Sequence, residues 1–194
     1  MKTTNVDVII PSYNDADKIG DAIASIQQQE DVFGHIINYN IIIIDDCSTK
    51  SNHELLKSYE VKYDNISILK TKSNSGAAVA RNHGIKSAKS PFISFLDADD
   101  IWLKDKIKHL FPLFKDPSLD VAYGAYVLDI KPGVKFTHKV VEGKPEKAHF
   151  LLSATLVRKA VFEKGYYFDE EFRLSEDLEW NNRIKADGLN IRVI

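Results

Sequence analysis

Cysteine is almost absent from this 194-residue sequence: Cys47 is the single one, so no disulfide can form within the chain. A chain without disulfides fits a reducing compartment, and we expect a cytoplasmic protein. The chain also lacks an excess of one charge: it has 26 Lys and Arg residues and 28 Asp and Glu residues, which gives a net charge of −2. This balance offers no electrostatic case for a nucleic-acid partner.

Long hydrophobic runs are missing as well. The strongest apolar stretch, residues 35–44, contains Asn38 and Asn40 and is far shorter than the ~20 residues that a membrane helix needs. Residues 1–7 lack the pattern of a secretory signal peptide. We therefore expect no membrane span, although peripheral association with the cytoplasmic face of a membrane stays open.

Hydrophobic periodicity predicts the fold class. Short, uniformly apolar, β-branched runs are typical of parallel strands that are covered on both faces, whereas Ile19, Ile23 and Ile26 have helical spacing. The alternation of the two patterns predicts an α/β fold with a mostly parallel, doubly wound sheet. The predicted strands cover 6–10, 40–44, 66–69, 92–96, 121–128 and 136–141, and the predicted helices lie near 19–26, 55–59, 77–88, 103–114, 158–164 and 177–186.

We expect one domain over residues 1–194, large enough to bury about 70% of the unfolded surface. Its character changes after about residue 100, so residues 1–100 and 101–194 are expected to form two functional halves. A turn is predicted at Lys131-Pro132-Gly133.

Polar residues follow three of the predicted strands: residues 11–15, Asp45-Asp46 and residues 97–100. Ligands of open parallel sheets bind outside the carboxyl ends of the strands, so all three clusters should face one crevice. Several carboxylates in one crevice repel each other, and a divalent metal would offset that repulsion. Oxygen ligands suit Mg²⁺ or Mn²⁺, which usually complete their coordination with water and substrate phosphates.

A phosphate-bearing substrate is therefore expected. Arg81 lies five residues after Gly76, on the helix predicted to begin at the same end of the sheet. A guanidinium there can reach a pyrophosphate, and the helix N-terminus favours an anion.

Each of these features also has a plain structural interpretation. Asp45 and Asp46 could be helix caps, and Asp97-Ala98-Asp99 a capped turn. Tyr13 could be a packed aromatic residue and Arg81 a solvated one. Their convergence on one sheet edge favours the functional interpretation.

The motifs resemble those of glycosyltransferase family 2, in the family's order and at its usual spacings, over residues 6–188. The matching segments are Val8-Ile9-Ile10-Pro11-Ser12-Tyr13-Asn14-Asp15, Ile43-Ile44-Asp45-Asp46-Cys47-Ser48-Thr49, Gly76 with Ala80-Arg81-Asn82, Phe95-Leu96-Asp97-Ala98-Asp99-Asp100, Gly165 with Phe168-Asp169-Glu170, and Glu176-Asp177.

This resemblance implies the glycosyltransferase A fold and an inverting transfer from a nucleotide diphosphate sugar, with uridine as the expected base, to a saccharide or lipid-linked hydroxyl acceptor. It implies a nucleotide-sugar-binding half at about 1–100, an acceptor-binding half at about 101–194, and a Mn²⁺ or Mg²⁺ ion. The product would belong to a polysaccharide, a glycolipid or a cell-surface glycan.

The resemblance also implies roles for single residues. Tyr13 and Asp46 match positions that hold the base, Asp46 through a hydrogen bond to the pyrimidine, and Pro11 and Asp15 belong to the same substrate-binding motif. Arg81 matches a residue near the diphosphate, Asp97 a contact to the ribose side, Asp99 the metal ligand and Asp177 the catalytic base. Asp177 could otherwise be an ordinary acid in the first turn of a helix.

Two features depart from the family pattern. Cys47 stands where glycine is frequent, which is tolerable if the turn needs no positive φ. The chain also ends at Ile194, soon after the Glu-Asp helix, so we expect a C-terminally truncated domain.

Rival functions fit less well. A phosphotransfer site of the D-x-D-x-T type needs its motif after an N-terminal strand. Here Asp97-Ala98-Asp99-Asp100 is followed by Ile101, at the position where that motif has threonine. A receiver-type module could explain Asp45-Asp46 but neither Arg81 nor the Asp97 cluster. The remaining alternative is a degenerate transferase domain that binds nucleotide sugar without turnover.

Overall fold

The computed structural model describes residues 2–127, 146–147 and 151–194 of the chain. Their main feature is a sheet with the strand order β3-β2-β1-β4-β8-β5-β9, and a separate pairing of β6 with β7. The strands are β1 (Lys2–Ser12), β2 (His35–Asp45), β3 (Ile66–Lys70), β4 (Phe92–Phe95), β5 (Val121–Tyr123), β6 (Ala125–Tyr126), β7 (Glu146–Lys147), β8 (Thr155–Arg158) and β9 (Ile191–Val193). The α-helices are α1 (Ile19–Gln27), α2 (Lys50–Lys62), α3 (Ala77–Ser87), α4 (Lys106–Leu110), α5 (Lys159–Glu163) and α6 (Glu176–Ala186).

The sheet is mostly parallel, as predicted. Strands β1 to β4 pair in parallel, and β5 pairs in parallel with β9. Strand β8 is the exception, because it runs antiparallel to both β4 and β5. No strand was predicted at β8 or β9, so the reversed strand and the edge strand are additions to the expected topology.

The sheet separates two apolar layers, and this explains the uniformly apolar strands. Successive strand residues point to opposite faces, so Val8 and Ile10 pack in one layer while Ile9 packs in the other. Ile23 of α1 lies in the first layer and Trp180 of α6 in the second. Helices thus cover both faces, which confirms the doubly wound arrangement.

Helix α3 lies very close to β1. A Cβ atom added at Gly84 would come within 2.6 Å of Ile9 Cγ2, so a side chain at this position would clash with the sheet. At the other end of α3, Gly76 and Ala77 line the same cleft as Pro11 and Ser12 of β1.

The predicted helix over 103–114 is wrong in its bounds. The α-helix covers Lys106–Leu110 alone and gives way to a 3-10 turn at Phe111–Lys115, while Leu103 is exposed in the preceding loop. Pro112 has no backbone N–H to donate inside an α-helix, which explains the change.

The strand predicted over 121–128 is broken as well, at Gly124 between β5 and β6. Leu128, the turn at 131–133 and the strand at 136–141 lie outside the described residues.

Within those described ranges, no helix combines the length and the apolar character needed to cross a bilayer.

Candidate active site

One cleft of about 460 Å³ opens at the carboxyl ends of β1, β2 and β4. The sequence-predicted site residues all line it, namely Pro11, Tyr13, Asp15, Asp46, Arg81, Asp97, Asp99 and Asp177. The convergence expected from the order of the strands is therefore present.

The two acids after β2 separate, which corrects the expectation that both face the crevice. Asp45 is fully buried: its carboxylate accepts a hydrogen bond from Ser48 N–H (2.8 Å) and lies 2.6 Å from His53 Nδ1. Burial raises the pKa of Asp45, but the hydrogen bonds from Ser48 and His53 and the charge of Lys70 hold it below its usual value. Asp45 therefore supports the start of α2, and Asp46 alone reaches the cleft.

Asp46 organises the loop that leads into α3. Its carboxylate accepts hydrogen bonds from Thr71 Oγ1 (2.8 Å), Ser75 N–H (3.0 Å) and Gly76 N–H (2.8 Å). The sequence motif gave no sign of these contacts. These hydrogen bonds make Asp46 part of the cleft wall. A carboxylate can accept more hydrogen bonds than these, so Asp46 could also accept one from a nucleobase.

The turn after β2 contains strained backbone. Cys47 has a φ of 62°, in the left-handed region that favours glycine. The turn therefore does need a positive φ, and cysteine at this position is strained. A left-handed conformation costs a non-glycine residue about 1–2 kcal/mol. Asn14, with φ of 57°, accepts a hydrogen bond from Thr49 N–H (2.9 Å), which ties the ends of β1 and β2 together.

Arg81 is buried beneath the cleft and joins its two halves. The guanidinium donates to Asp97 Oδ1 (2.7 Å) and, through Nη1, to Glu176 Oε1. Burial lowers the pKa of Arg81, but these two carboxylates more than reverse the effect, so the side chain stays charged. Its Nε is buried without a hydrogen-bond partner in the described part of the chain. Two of the five N–H donors of Arg81 are therefore engaged by protein carboxylates, and its assignment to the diphosphate stays a prediction.

The acids after β4 have different surroundings. Asp99 is exposed and has no hydrogen bond or ion pair among the described residues, whereas Asp97 is held by Arg81. Asp100 accepts a hydrogen bond from Ser153 Oγ (2.6 Å), and burial, reinforced by Asp97 and Asp99, raises its pKa. Asp99 is thus the acid of this motif that is left available to an external ligand.

The donor set fits a divalent metal that also binds substrate. Within the described ranges, no group of three or more His, Cys, Asp and Glu side chains is placed to hold an ion by itself. A Mg²⁺ or Mn²⁺ ion held by one or two carboxylates normally takes its other ligands from water and phosphates. Asp99, beside Asp97, would hold such an ion in that way.

Asp177 stands in the first turn of α6, after Ser175, which has φ of 62°. Burial raises the pKa of the Asp177 carboxyl group, and the negative charge of Glu176 raises it further. The hydrogen bond from Leu178 N–H and the positive charge of Arg81 lower it, but the net pKa stays raised. A raised pKa makes a carboxylate a stronger base. Asp177 also faces the cleft, as the base assignment requires.

The remaining predicted residues lie at the mouth of the cleft. Tyr13 is 49% exposed, so its ring is available for stacking and is not a packed core residue. Asp15 pairs with Lys18 (2.5 Å), and Pro11 belongs to β1.

Sequence reasoning missed Glu176 as the buried partner of Arg81, Ser153 as the partner of Asp100, and Arg173 as a lining residue. Glu176-Asp177 is one of the matching motifs, but a contact between Arg81 and Glu176, 95 positions apart, leaves no local signal in the sequence.

A second cavity of about 600 Å³ lies beside Asp100, Trp102 and Lys106. It contains none of the predicted site residues.

The fold places this cleft outside the carboxyl ends of parallel strands, where open α/β sheets usually bind their ligands. The chain belongs to glycosyl transferase family 2, whose family model matches residues 7–169. This confirms the resemblance drawn from the motifs.

Two named relatives illustrate the similarity. TuaG of Bacillus subtilis, named as a teichuronic acid biosynthesis glycosyltransferase, is 36% identical over 136 residues, 69% of this chain and 52% of TuaG. The Escherichia coli UDP-Glc:alpha-D-GlcNAc-diphosphoundecaprenol beta-1,3-glucosyltransferase WfgD is 33% identical over 121 residues, 62% of this chain and 45% of WfgD. The match thus spans about half the length of these relatives.

Solved structures confirm the glycosyltransferase A fold. S. aureus TarS 1–349 in complex with UDP matches with a TM-score of 0.72 at 22% identity, covering 98% of this chain and 57% of that one. The mannosyltransferase PcManGT from Pyrobaculum calidifontis, in complex with GDP-Man and Mn²⁺, matches with a TM-score of 0.70 at 14% identity, covering 96% and 53%. At these identities the likeness concerns the fold.

Proposed function

We propose that this chain transfers a sugar, with inversion, from a UDP-sugar to a hydroxyl group of a saccharide or lipid-linked acceptor. One observation carries the proposal: acids from three strand ends, one aromatic residue, Tyr13, and two acids of a fourth element, α6, line a single cleft. The names of the relatives, which include teichuronic acid synthesis and a UDP-Glc donor, support a role in making cell-surface glycans. The reaction would take place in the cytoplasm, at or near the membrane face.

The residues of the donor side divide the binding work. Tyr13 offers an exposed ring to the base, and Asp46 offers acceptor oxygens beside it. Asp97, fixed by Arg81, faces the ribose side. A divalent metal bound by Asp99 would stabilise the charge that develops on the departing diphosphate.

Asp177 acts on the acceptor. It takes the proton of the acceptor hydroxyl as the new glycosidic bond forms and the bond to the diphosphate breaks. A carboxylate is a weak base for an alcohol, so proton transfer is late and its raised pKa assists it. Most of the acceleration then comes from positioning and leaving-group stabilisation.

The proposed activity is tested by donor turnover. The purified chain is incubated with a panel of nucleotide sugars with and without Mn²⁺, and release of nucleoside diphosphate is measured, with and without saccharide and polyprenyl-diphosphate-linked acceptors. We expect Mn²⁺-dependent release from a UDP-sugar and, by NMR, an inverted anomeric centre in the product. Binding without release would favour the degenerate domain, and a retained configuration would reject inversion.

Asp99→Ala should abolish the Mn²⁺ dependence of nucleoside diphosphate binding, because Asp99 is the exposed acid without a protein partner among the described residues. Isothermal titration with UDP, with and without Mn²⁺, measures it. Asp105→Ala is the matched control, since Asp105 is an acid on the same segment that does not line this cleft. Unchanged affinity and unchanged Mn²⁺ dependence in Asp99→Ala would rule out Asp99 as the metal ligand.

A further inference from the structure

The residue expected to meet the diphosphate, Arg81, is already engaged. Both terminal nitrogens of its guanidinium bond to protein carboxylates, on Asp97 and Glu176, and the side chain is 5% exposed. Each terminal nitrogen keeps a second N–H, but a buried guanidinium that already compensates two carboxylates has little charge left to offset a diphosphate. Arg81 therefore positions the acids of the cleft, and a donor diphosphate needs another cation.

The cleft has a strong need for positive charge. Its lining contains six carboxylates, which belong to Asp15, Asp46, Asp97, Asp99, Glu176 and Asp177, and two guanidinium groups, Arg81 and Arg173. One metal ion would not offset both this field and the charge of a diphosphate. A cation that is not already paired with a protein carboxylate would attract an anion into this cleft.

Arg173 is that free cation. It is exposed, it lines the cleft, and its side chain makes no hydrogen bond or ion pair with any residue that the structure describes. It precedes α6, whose first turn carries Asp177. The segment that holds the proposed base thus also brings an uncommitted guanidinium to the cleft.

We propose that Arg173 binds the diphosphate of the donor. The planar guanidinium can donate two parallel hydrogen bonds to phosphate oxygens, which an ammonium cannot do. The inference rests on the proposed function, because it assigns a residue to the diphosphate of that donor. Since Arg173 and Asp177 are four positions apart, binding of the diphosphate would also orient the segment that carries the base.

Calorimetry on the whole chain, in the presence of Mn²⁺, tests the assignment with four probes: UDP, GDP, inorganic pyrophosphate and uridine. Arg173→Ala should weaken binding of the diphosphate probes by about 10- to 100-fold, the range for a charge-assisted hydrogen bond, and leave uridine unchanged. The diphosphate affinity of Arg173→Lys should lie between those of the wild type and Arg173→Ala, because lysine keeps the charge and loses the paired donors. Arg192→Ala is the control, an exposed arginine on β9 that pairs with Asp116 outside the cleft, and should bind within about twofold of the wild type.

The outcomes separate the two proposals. If the wild type binds UDP and Arg173→Ala binds it equally well, the role of Arg173 is overturned and the proposed function stands. If uridine weakens as much as UDP, Arg173 acts on the nucleoside and the diphosphate assignment is wrong. If the wild type binds none of the diphosphate probes, both proposals are rejected. Circular dichroism of each variant checks that the exposed substitution leaves the fold intact.

Discussion

Asp177→Asn should reduce turnover by about 10²–10⁴-fold, the usual contribution of a general base, and leave the binding of nucleotide sugar and metal nearly unchanged. Asparagine keeps the size of the side chain but has no basic oxygen. Asp177 is assigned to the acceptor hydroxyl and has no proposed contact with the nucleotide, the diphosphate or the metal, so donor binding should change little. Turnover of a UDP-sugar and calorimetry with UDP and Mn²⁺ measure the two effects separately.

The pH profile adds a second readout. Burial raises the pKa of Asp177, so the wild-type rate should rise with pH through a value above the ordinary range for aspartate, because the base acts when it is deprotonated. This acidic limb should be lost in Asp177→Asn. Asp187→Asn is the matched control: Asp187 is an exposed acid at the other end of α6, and its substitution should preserve both the rate and the profile.

Normal turnover in Asp177→Asn would refute the base assignment. Glu176 would be the neighbouring acid to test next, although the structure makes it a poor substitute. Its side chain is largely buried, and Oε1 accepts a hydrogen bond from Arg81, so the charge of Glu176 is already partly compensated by a neighbouring cation.

Local patterns in the sequence were sufficient for the donor side of the fold. The second halves of β1 and β2 and the whole of β4 are short, mainly apolar runs followed closely by polar residues, and this signal needs no knowledge of distant contacts. The more polar first halves of β1 and β2 lie outside the predicted strands. The prediction that these ends meet depended only on the parallel arrangement, which the structure confirms. The assignment of single residues to base, ribose and metal stays a prediction.

The strand β8 could not be predicted from local patterns. It is four residues long and runs directly into α5, so Arg158 read as the start of a helix. Its position depends on pairing with β4 and β5, which are far from it in sequence. Pairings of this kind are determined by the tertiary structure.

The separation of Asp45 from Asp46 was predictable in principle. Asp45 is the last residue of β2, and neighbouring residues at a strand end point to opposite sides. One of the two acids therefore had to turn away from the other. The sequence could not show which one, because that depends on His53 and Ser48 on one side and the loop at Thr71–Gly76 on the other.

Arg81→Met should lower the free energy of unfolding by about 3–5 kcal/mol, the range for removing one partner of a buried ion pair. Methionine fills much of the same space but leaves the buried Glu176 carboxylate uncompensated, whereas Asp97, at 37% exposure, can regain water. Urea unfolding followed by circular dichroism measures the loss. Arg81→Lys should recover only part of it, because an ammonium cannot span two carboxylates as the planar guanidinium does.

The double variant Arg81→Met/Glu176→Gln distinguishes lost charge compensation from lost packing. Glutamine removes the buried charge, so the double variant should be more stable than Arg81→Met alone, with a coupling of about 0.5–3 kcal/mol for residues in contact. A deficit that Glu176→Gln does not relieve would mean that Arg81 stabilises the fold through packing. Phe168, whose ring lies 5.8 Å from the guanidinium carbon, is one such packing partner. In that case the link between Arg81, Asp97 and Glu176 would be a consequence of the fold and not what holds the two sides of the cleft together.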